Sequence, residues 1–156
     1  MEQPTSSTHL PFPPNPKAFI VDDSAATRRI FRYILEQIGI TVDEAVNGQQ
    51  ALEMLKDTIN EYCIIFSDIS MPLMDGFEFC YVLQQAPWYN GIPFVLVSTE
   101  SDAANVIKGL KLGADDFMPK PFDEETAQLV IARVLYLREQ PYDKTNSPPE
   151  MEYSAY

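Results

Sequence analysis

Five side chains in this sequence could do joint chemistry if the fold brought them together. Asp22 and Asp23 follow the apolar run KAFIV, Asp68 follows YCIIFS, Ser98 follows IPFVLV, and Lys120 stands between Pro119 and Pro121 after DDFM. Each polar group closes an apolar run of strand length. Three carboxylates gathered in one place repel one another and cost free energy to desolvate unless a positive charge offsets them. A divalent cation would do so. With oxygen donors, no clustered thiols and no histidine in the body of the chain, Mg2+ or Mn2+ suits the set. Lys120 adds a positive charge on backbone that its two prolines restrict. An acidic pair at one strand end is commonly a solvated turn with a helix cap. The coincidence of four such ends points instead to an anion and metal site.

Bringing these groups together requires strands whose C-terminal ends share one edge. The sequence predicts strands over 17–21, 40–45, 62–67, 92–97 and 115–118, alternating with helices over 25–38, 49–59, 77–85, 102–112 and 123–138. Ser24 is the expected cap of the first helix, whose apolar positions are Ile30, Tyr33 or Ile34, and Ile38, and Gly39 ends it. Gly113 ends the fourth helix. Leu129 to Leu137 give the fifth a broad apolar face, with Arg133 on its wet side. Strands apolar on both faces need helices on both sides of a parallel sheet, so the expected fold class is α/β, a five-stranded parallel sheet flanked by helices. Right-handed crossovers then place all strand C-termini on one edge, where open sheets bind ligands.

The composition sets the outer limits. A chain of 156 residues that is 46% hydrophobic supplies one core and not two large domains. Of its 13 prolines, five precede residue 17 and three follow residue 140. The expected organisation is a proline-rich N-terminal arm at 1–16, a compact body at 17–138 and a flexible tail or linker at 139–156. A net charge of -12 disfavours direct contact with nucleic-acid phosphates. His9, the only histidine, lies in the arm, which removes histidine triads and a histidine phosphoacceptor from the body. Cys63 and Cys80 stand in apolar settings without partner ligands and read as buried free thiols. No targeting segment and no apolar stretch of spanning length is seen, so the expectation is a soluble cytoplasmic protein without membrane insertion.

Four segments carry a family likeness: VDDS at 21–24, SDISMPLMDG at 67–76, VST at 97–99 and GADDFMPKPF at 113–122. In order and spacing they resemble the receiver domain of two-component response regulators, over essentially all of 17–138, and the absence of a second folded domain resembles stand-alone chemotaxis-type regulators. The resemblance implies a flavodoxin-like (βα)5 fold in which Asp68 is the phosphoacceptor. Asp23 would be a direct Mg2+ ligand, Asp22 would act mainly through metal-bound water, and the carbonyl of Ser70 would complete the protein's share of the site. Lys120 and Ser98 would contact the phosphoryl oxygens, and Phe117 would be the aromatic that moves with Ser98, although an aromatic on a strand can also simply fill the core. The Lys120–Pro121 bond would be cis.

The donor would be a histidine kinase, a phosphotransfer protein or a small phosphodonor. Self-phosphorylation and autodephosphorylation are expected, rather than multiple-turnover enzyme activity. The fourth helix, fifth strand and fifth helix would form a face for a downstream protein or for a homodimer. Within the loop after Asp68, Pro72 and Gly76 would set backbone shape, and Asp75 would cap the third helix with Glu78 three residues on. Thr99 is larger than the alanine often found after the switching hydroxyl residue, and Ser70 is small beside the site; both could alter access of phosphodonor or water.

Three other readings compete with a stand-alone switch. The chain could be the receiver module of a hybrid kinase or multidomain regulator. It could be a non-phosphorylated pseudo-receiver scaffold, though gathering the acids is then hard to explain. An aspartate-dependent phosphatase would carry a second carboxylate two residues after its nucleophile, where this chain has Ser70.

Overall fold

A computed structural model of the chain describes residues 14–99 and 102–139, with side chains as far as residue 136. The expected arm before residue 14 and the expected tail after residue 139 lie outside the described residues.

Five strands form one parallel sheet: β1 (Lys17–Val21), β2 (Thr41–Ala45), β3 (Ile64–Asp68), β4 (Phe94–Ser98) and β5 (Asp116–Pro119), in the order β2-β1-β3-β4-β5. Helices α1 (Ala25–Gln37), α2 (Gly48–Leu55), α3 (Gly76–Gln85), α4 (Ala103–Lys111) and α5 (Glu124–Glu139) connect and follow them. The fold is therefore the expected flavodoxin-like (βα)5 architecture. No described helix is long and apolar enough to cross a membrane.

Because the sheet is covered on both faces, there are two core layers. Phe31, Ile34 and Leu35 of α1 pack with Val130, Ile131 and Val134 of α5 against Ile20, Phe66 and Val97. On the other face Ala51 and Leu55 of α2 and Phe79 and Leu83 of α3 pack against Phe19, Ile65, Phe94 and Leu96. Strand order reverses between β1 and β3, so the crevice of an open sheet falls at the C-terminal ends of these two strands.

Caps fix the helix starts that aim the loops. Ser24 Oγ accepts from the Thr27 N–H, Asn47 Oδ1 from Gln50, Asp75 Oδ1 from Glu78, and Asp102 Oδ1 from Asn105. Gly39 and Gly113 follow α1 and α4 with φ of +87° and +109°, a conformation that favours glycine.

Three local expectations differ from the structure. The α1 face toward the sheet is Phe31, Ile34 and Leu35, while Ile30 and Tyr33 are exposed and Ile38 only borders the core. The second helix stops at Leu55 and not at 59, because Thr58 Oγ1 donates to the Met54 carbonyl and the chain turns into a short 3-10 segment, Ile59–Glu61. On α5, Leu129 lies outside, although Arg133 is at the surface as expected, tied to Asp116.

Near the opposite, N-terminal end of the sheet, a second polar cluster joins β1 to the edge strand β2. Lys17 Nζ lies 2.7 Å from Asp43 Oδ2 and 3.7 Å from Glu61 Oε1, and the Tyr62 hydroxyl donates to Asp43 Oδ2 at 2.6 Å.

Candidate functional site

The site begins with the backbone of β1 and β3. Both strands end on acids at the reversal point of the sheet: Asp22 immediately follows β1, and Asp68 is the last residue of β3. One oxygen from each of Asp22, Asp23 and Asp68 lies within 4.8 Å of the others. Asp22 is almost completely buried, Asp68 half-buried and Asp23 exposed.

Lys120 reaches this acidic group from the far side of the sheet. The Lys120 backbone N–H donates to the Ser98 carbonyl at 2.9 Å, extending the β4–β5 ladder by one residue. From there its Nζ lies 2.7 Å from Asp22 Oδ2 and 3.1 Å from Asp68 Oδ1. The Lys120–Pro121 peptide is cis, as the resemblance implied.

The β3–α3 loop folds back closely on Asp68. The Gly76 N–H donates to the Ile69 carbonyl at 2.8 Å, and a Cβ on Gly76 would stand 2.2 Å from the Asp68 carbonyl oxygen. Only glycine permits that approach. The Ile69 N–H donates to Asp68 Oδ1 at 2.9 Å, which orients the carboxylate. Asp75 caps α3 as expected, and Ser70 lies exposed in the same loop.

Ser98, at the end of β4, is buried and one residue past Val97, the partner of Asp68 across the β3–β4 ladder. Phe117 pairs with Leu96 and lies inward in the core layer with Ile65, Phe77 and Leu112. Thr99 is exposed and, with Thr27, Ile30, Pro121 and Phe122, lines a small hollow beside Lys120. Asp22, Asp23, Asp68, Ser70, Ser98 and Lys120 thus lie at or next to the C-terminal edge of the sheet, while Phe117 sits two residues before the end of β5 in the core layer. The cysteines lie elsewhere. Cys80 is buried, its thiol pushed up to about 12 chiefly by burial; Cys63 is only half-buried, against expectation, and is pushed up to about 11 for the same reason.

The electrostatics follow from crowding. Burial and then the Asp22 charge raise the Asp68 pKa, and the charge and hydrogen bond of Lys120 offset this only in part. Burial alone would lower the Lys120 pKa, but its bonds to Asp22 and Asp68 outweigh that and raise it. Three carboxylates against one ammonium leave an excess of negative charge in a partly desolvated place. The donors are all oxygen, so the set fits a hard divalent cation such as Mg2+.

Sequence reasoning passed over Arg28 and Glu44. Arg28 Nη1 donates to the Asp22 carbonyl at 2.7 Å, and its Nε to Glu44 Oε1 at 3.1 Å. The only signal for Arg28 was its place four residues after the Ser24 cap, on the turn nearest the acidic loop. Glu44 carried none, because only the tertiary fold sets β2 beside α1.

Comparison with known proteins agrees with this geometry. The family model described as the response regulator receiver domain matches residues 18–132. The probable transcriptional regulator ycf27 of Cyanophora paradoxa is 33% identical over 131 residues, covering 84% of this chain and 53% of that protein. Protein PilG of Pseudomonas aeruginosa is 32% identical over 109 residues, covering 70% of this chain and 79% of PilG. Among solved structures, the Vibrio cholerae chemotaxis protein CheY4 aligns with a TM-score of 0.71 at 31% identity, over 77% of this chain and 98% of its own. The chain spans about half the length of ycf27.

Proposed function

The chain belongs to the response-regulator receiver family, and from that premise we propose that it is a phosphorylation-dependent signalling switch whose phosphoacceptor is Asp68. The observation that carries this reading is the convergence of Asp22, Asp23 and Asp68 within 4.8 Å, with Lys120 bridging Asp22 and Asp68. An oxygen of the Asp68 carboxylate attacks the donor phosphorus. The P–N bond of a phosphohistidine, or the P–O bond of an acyl phosphate, breaks, and its electron pair leaves with the donor. The carboxylates of Asp22, Asp23 and Asp68 and the carbonyl of Ser70 would hold Mg2+, with Mn2+ as a substitute. The cation supplies charge neutralisation for the phosphoryl oxygens.

The remaining work belongs to side chains of this chain. Lys120 moves its ammonium from the Asp68 carboxylate to the oxygens of the new phosphoryl group. Ser98 turns its hydroxyl to the same group, and Phe117 shifts in the space beside β4. These contacts stabilise one of two arrangements of the β4–α4 and β5–α5 region, so phosphorylation moves a population rather than making a product. Hydrolysis of the aspartyl phosphate resets the switch. The phosphoryl source is a histidine kinase or phosphotransfer protein, and the output is a downstream protein or a homodimer contact. The charge of -12 supports a protein target over nucleic acid. The receiver occupies 17–138. Coverage of half of ycf27 favours a second reading, in which this receiver is one module of a longer regulator and its changed face acts on an attached domain.

Incubation with Mg2+ and a small acyl phosphate, followed by intact-mass measurement, tests the reading. One added phosphoryl group is expected, absent without Mg2+ and absent in Asp68→Asn. An Asp68→Asn variant that takes up the group as well as the parent would place the phosphoacceptor elsewhere.

A further inference from the structure

Asp22 is held at every polar atom. Its N–H donates to the Ala45 carbonyl at 3.1 Å, Oδ1 accepts from the Ser24 N–H at 2.8 Å, Oδ2 accepts from Lys120, and its carbonyl accepts from Arg28 Nη1 at 2.7 Å. Asp23 differs sharply. It is exposed, and among the described residues no hydrogen bond or ion pair holds its carboxylate. Its direction therefore depends on its backbone. The Asp22 carbonyl lies in the same rigid plane as the Asp23 N–H, so fixing that oxygen fixes the plane from which Asp23 emerges.

Arg28 is in turn fixed from behind. Its Nε meets Glu44 Oε1 at 3.1 Å, while Arg32 Nη2 meets Glu44 Oε2 at 3.1 Å and Arg32 Nη1 donates to the Val42 carbonyl at 3.0 Å. The planar guanidinium serves two partners at once, one of them the acidic loop and the other the edge strand β2. Its backbone also makes the first bond of α1, from the Arg28 N–H to the Ser24 carbonyl at 3.0 Å. One side chain thus ties loop, helix and strand.

We propose that Arg28, backed by Glu44, is a positioning residue that sets how tightly the acidic site holds Mg2+, by fixing the Asp22–Asp23 peptide without touching the ion or the phosphoryl group. The inference rests on the reading of the acids as a Mg2+ site. Partners one step behind metal ligands typically change metal affinity about tenfold or more when removed.

The test titrates Mg2+ with two readouts: the rise in thermal unfolding midpoint, and the Mg2+ concentration giving half-maximal phosphorylation by acyl phosphate. Arg28→Gln is expected to shift both titrations to about tenfold higher Mg2+. Its rate at saturating Mg2+ and its half-saturation for acyl phosphate should stay within about twofold of the parent. Glu44→Gln should move the Mg2+ points in the same direction by less, and the double variant should add little to Arg28→Gln, because both act through one contact. Arg28→Lys keeps the charge but loses the fork, should fall between, and serves if the Gln variant fails to fold. Arg29→Gln, exposed on the same helix, should match the parent. Unchanged Mg2+ dependence in Arg28→Gln and Arg28→Lys would overturn the inference, as would a lower rate at saturating Mg2+ with an unchanged Mg2+ midpoint. A parent protein that Mg2+ neither stabilises nor helps to phosphorylate would instead overturn the reading of the site itself.

Discussion

The two polar clusters at opposite ends of the sheet use the same residue types with opposite results. Near the N-terminal end, Asp43 has two donors, Lys17 and Tyr62, and its side chain is 39% exposed. Burial would raise its pKa, but the hydrogen bonds from Lys17 and Tyr62 outweigh that and lower it. At the C-terminal edge, Asp68 is 11% exposed beside a second carboxylate that is 2% exposed, and one lysine serves both. There the pKa of Asp68 is raised, by burial and then by Asp22. The first cluster ties strands together. The second crowds carboxylates around a single ammonium in an arrangement that costs stability, a common feature of sites shaped for function.

The largest effect should come from removing the lysine of each cluster. Lys120→Met leaves the buried Asp22 charge without its partner, and in Mg2+-free buffer it should cost about 3 kcal/mol by denaturant unfolding. Lys17→Met exposes its partners only to more water, so its cost should stay below about 1 kcal/mol. Equal costs would erase the distinction between the two ends.

Asp68→Asn comes next and has the opposite sign. By removing one of two crowded charges it should stabilise the Mg2+-free protein by about 1 kcal/mol, a typical size for a single substitution. A destabilised Asp68→Asn protein would mean that Lys120 already compensates the site in full.

The smallest effect lies in the pH dependence of stability without Mg2+. Asp68 has a raised folded pKa, so its repulsion is relieved as pH falls through that value, and this stability is lost again as pH rises through it. Asp43 has a depressed folded pKa, so its contribution is present above the ordinary carboxylate value of about 3.9 and is lost as pH falls through the depressed one. Subtracting the stability curve of Asp68→Asn should isolate a gain on acidification, and that of Asp43→Asn a loss at lower pH. Curves of the same sign would contradict the pairing described for one of the two clusters.

Much of this is legible in the sequence. Short apolar runs closed by acids, Ser or Lys announce both the strands and the edge on which their polar ends meet, because a parallel sheet leaves no other place for them. The inward face of α1 was not legible. Ile30, Phe31, Tyr33, Ile34, Leu35 and Ile38 offer overlapping helical stripes, and the sheet chose Phe31, Ile34 and Leu35. The end of α2 was hidden for a different reason, since a single hydroxyl of Thr58 competes locally with the helix. Arg28 and Glu44 are 16 residues apart and polar, so neither periodicity nor composition links them. What a sequence pattern records well is burial; it records poorly which charged side chain bends back to hold a loop.

On the proposed reading the C-terminal edge is short of positive charge and a divalent cation supplies it. Thermal unfolding of the parent protein and of Asp68→Asn, each with and without millimolar Mg2+, tests it most directly. Mg2+ should raise the midpoint of the parent protein clearly and that of Asp68→Asn much less, narrowing or reversing the order seen without the ion. A parent midpoint unmoved by Mg2+, or moved equally in both proteins, would contradict it.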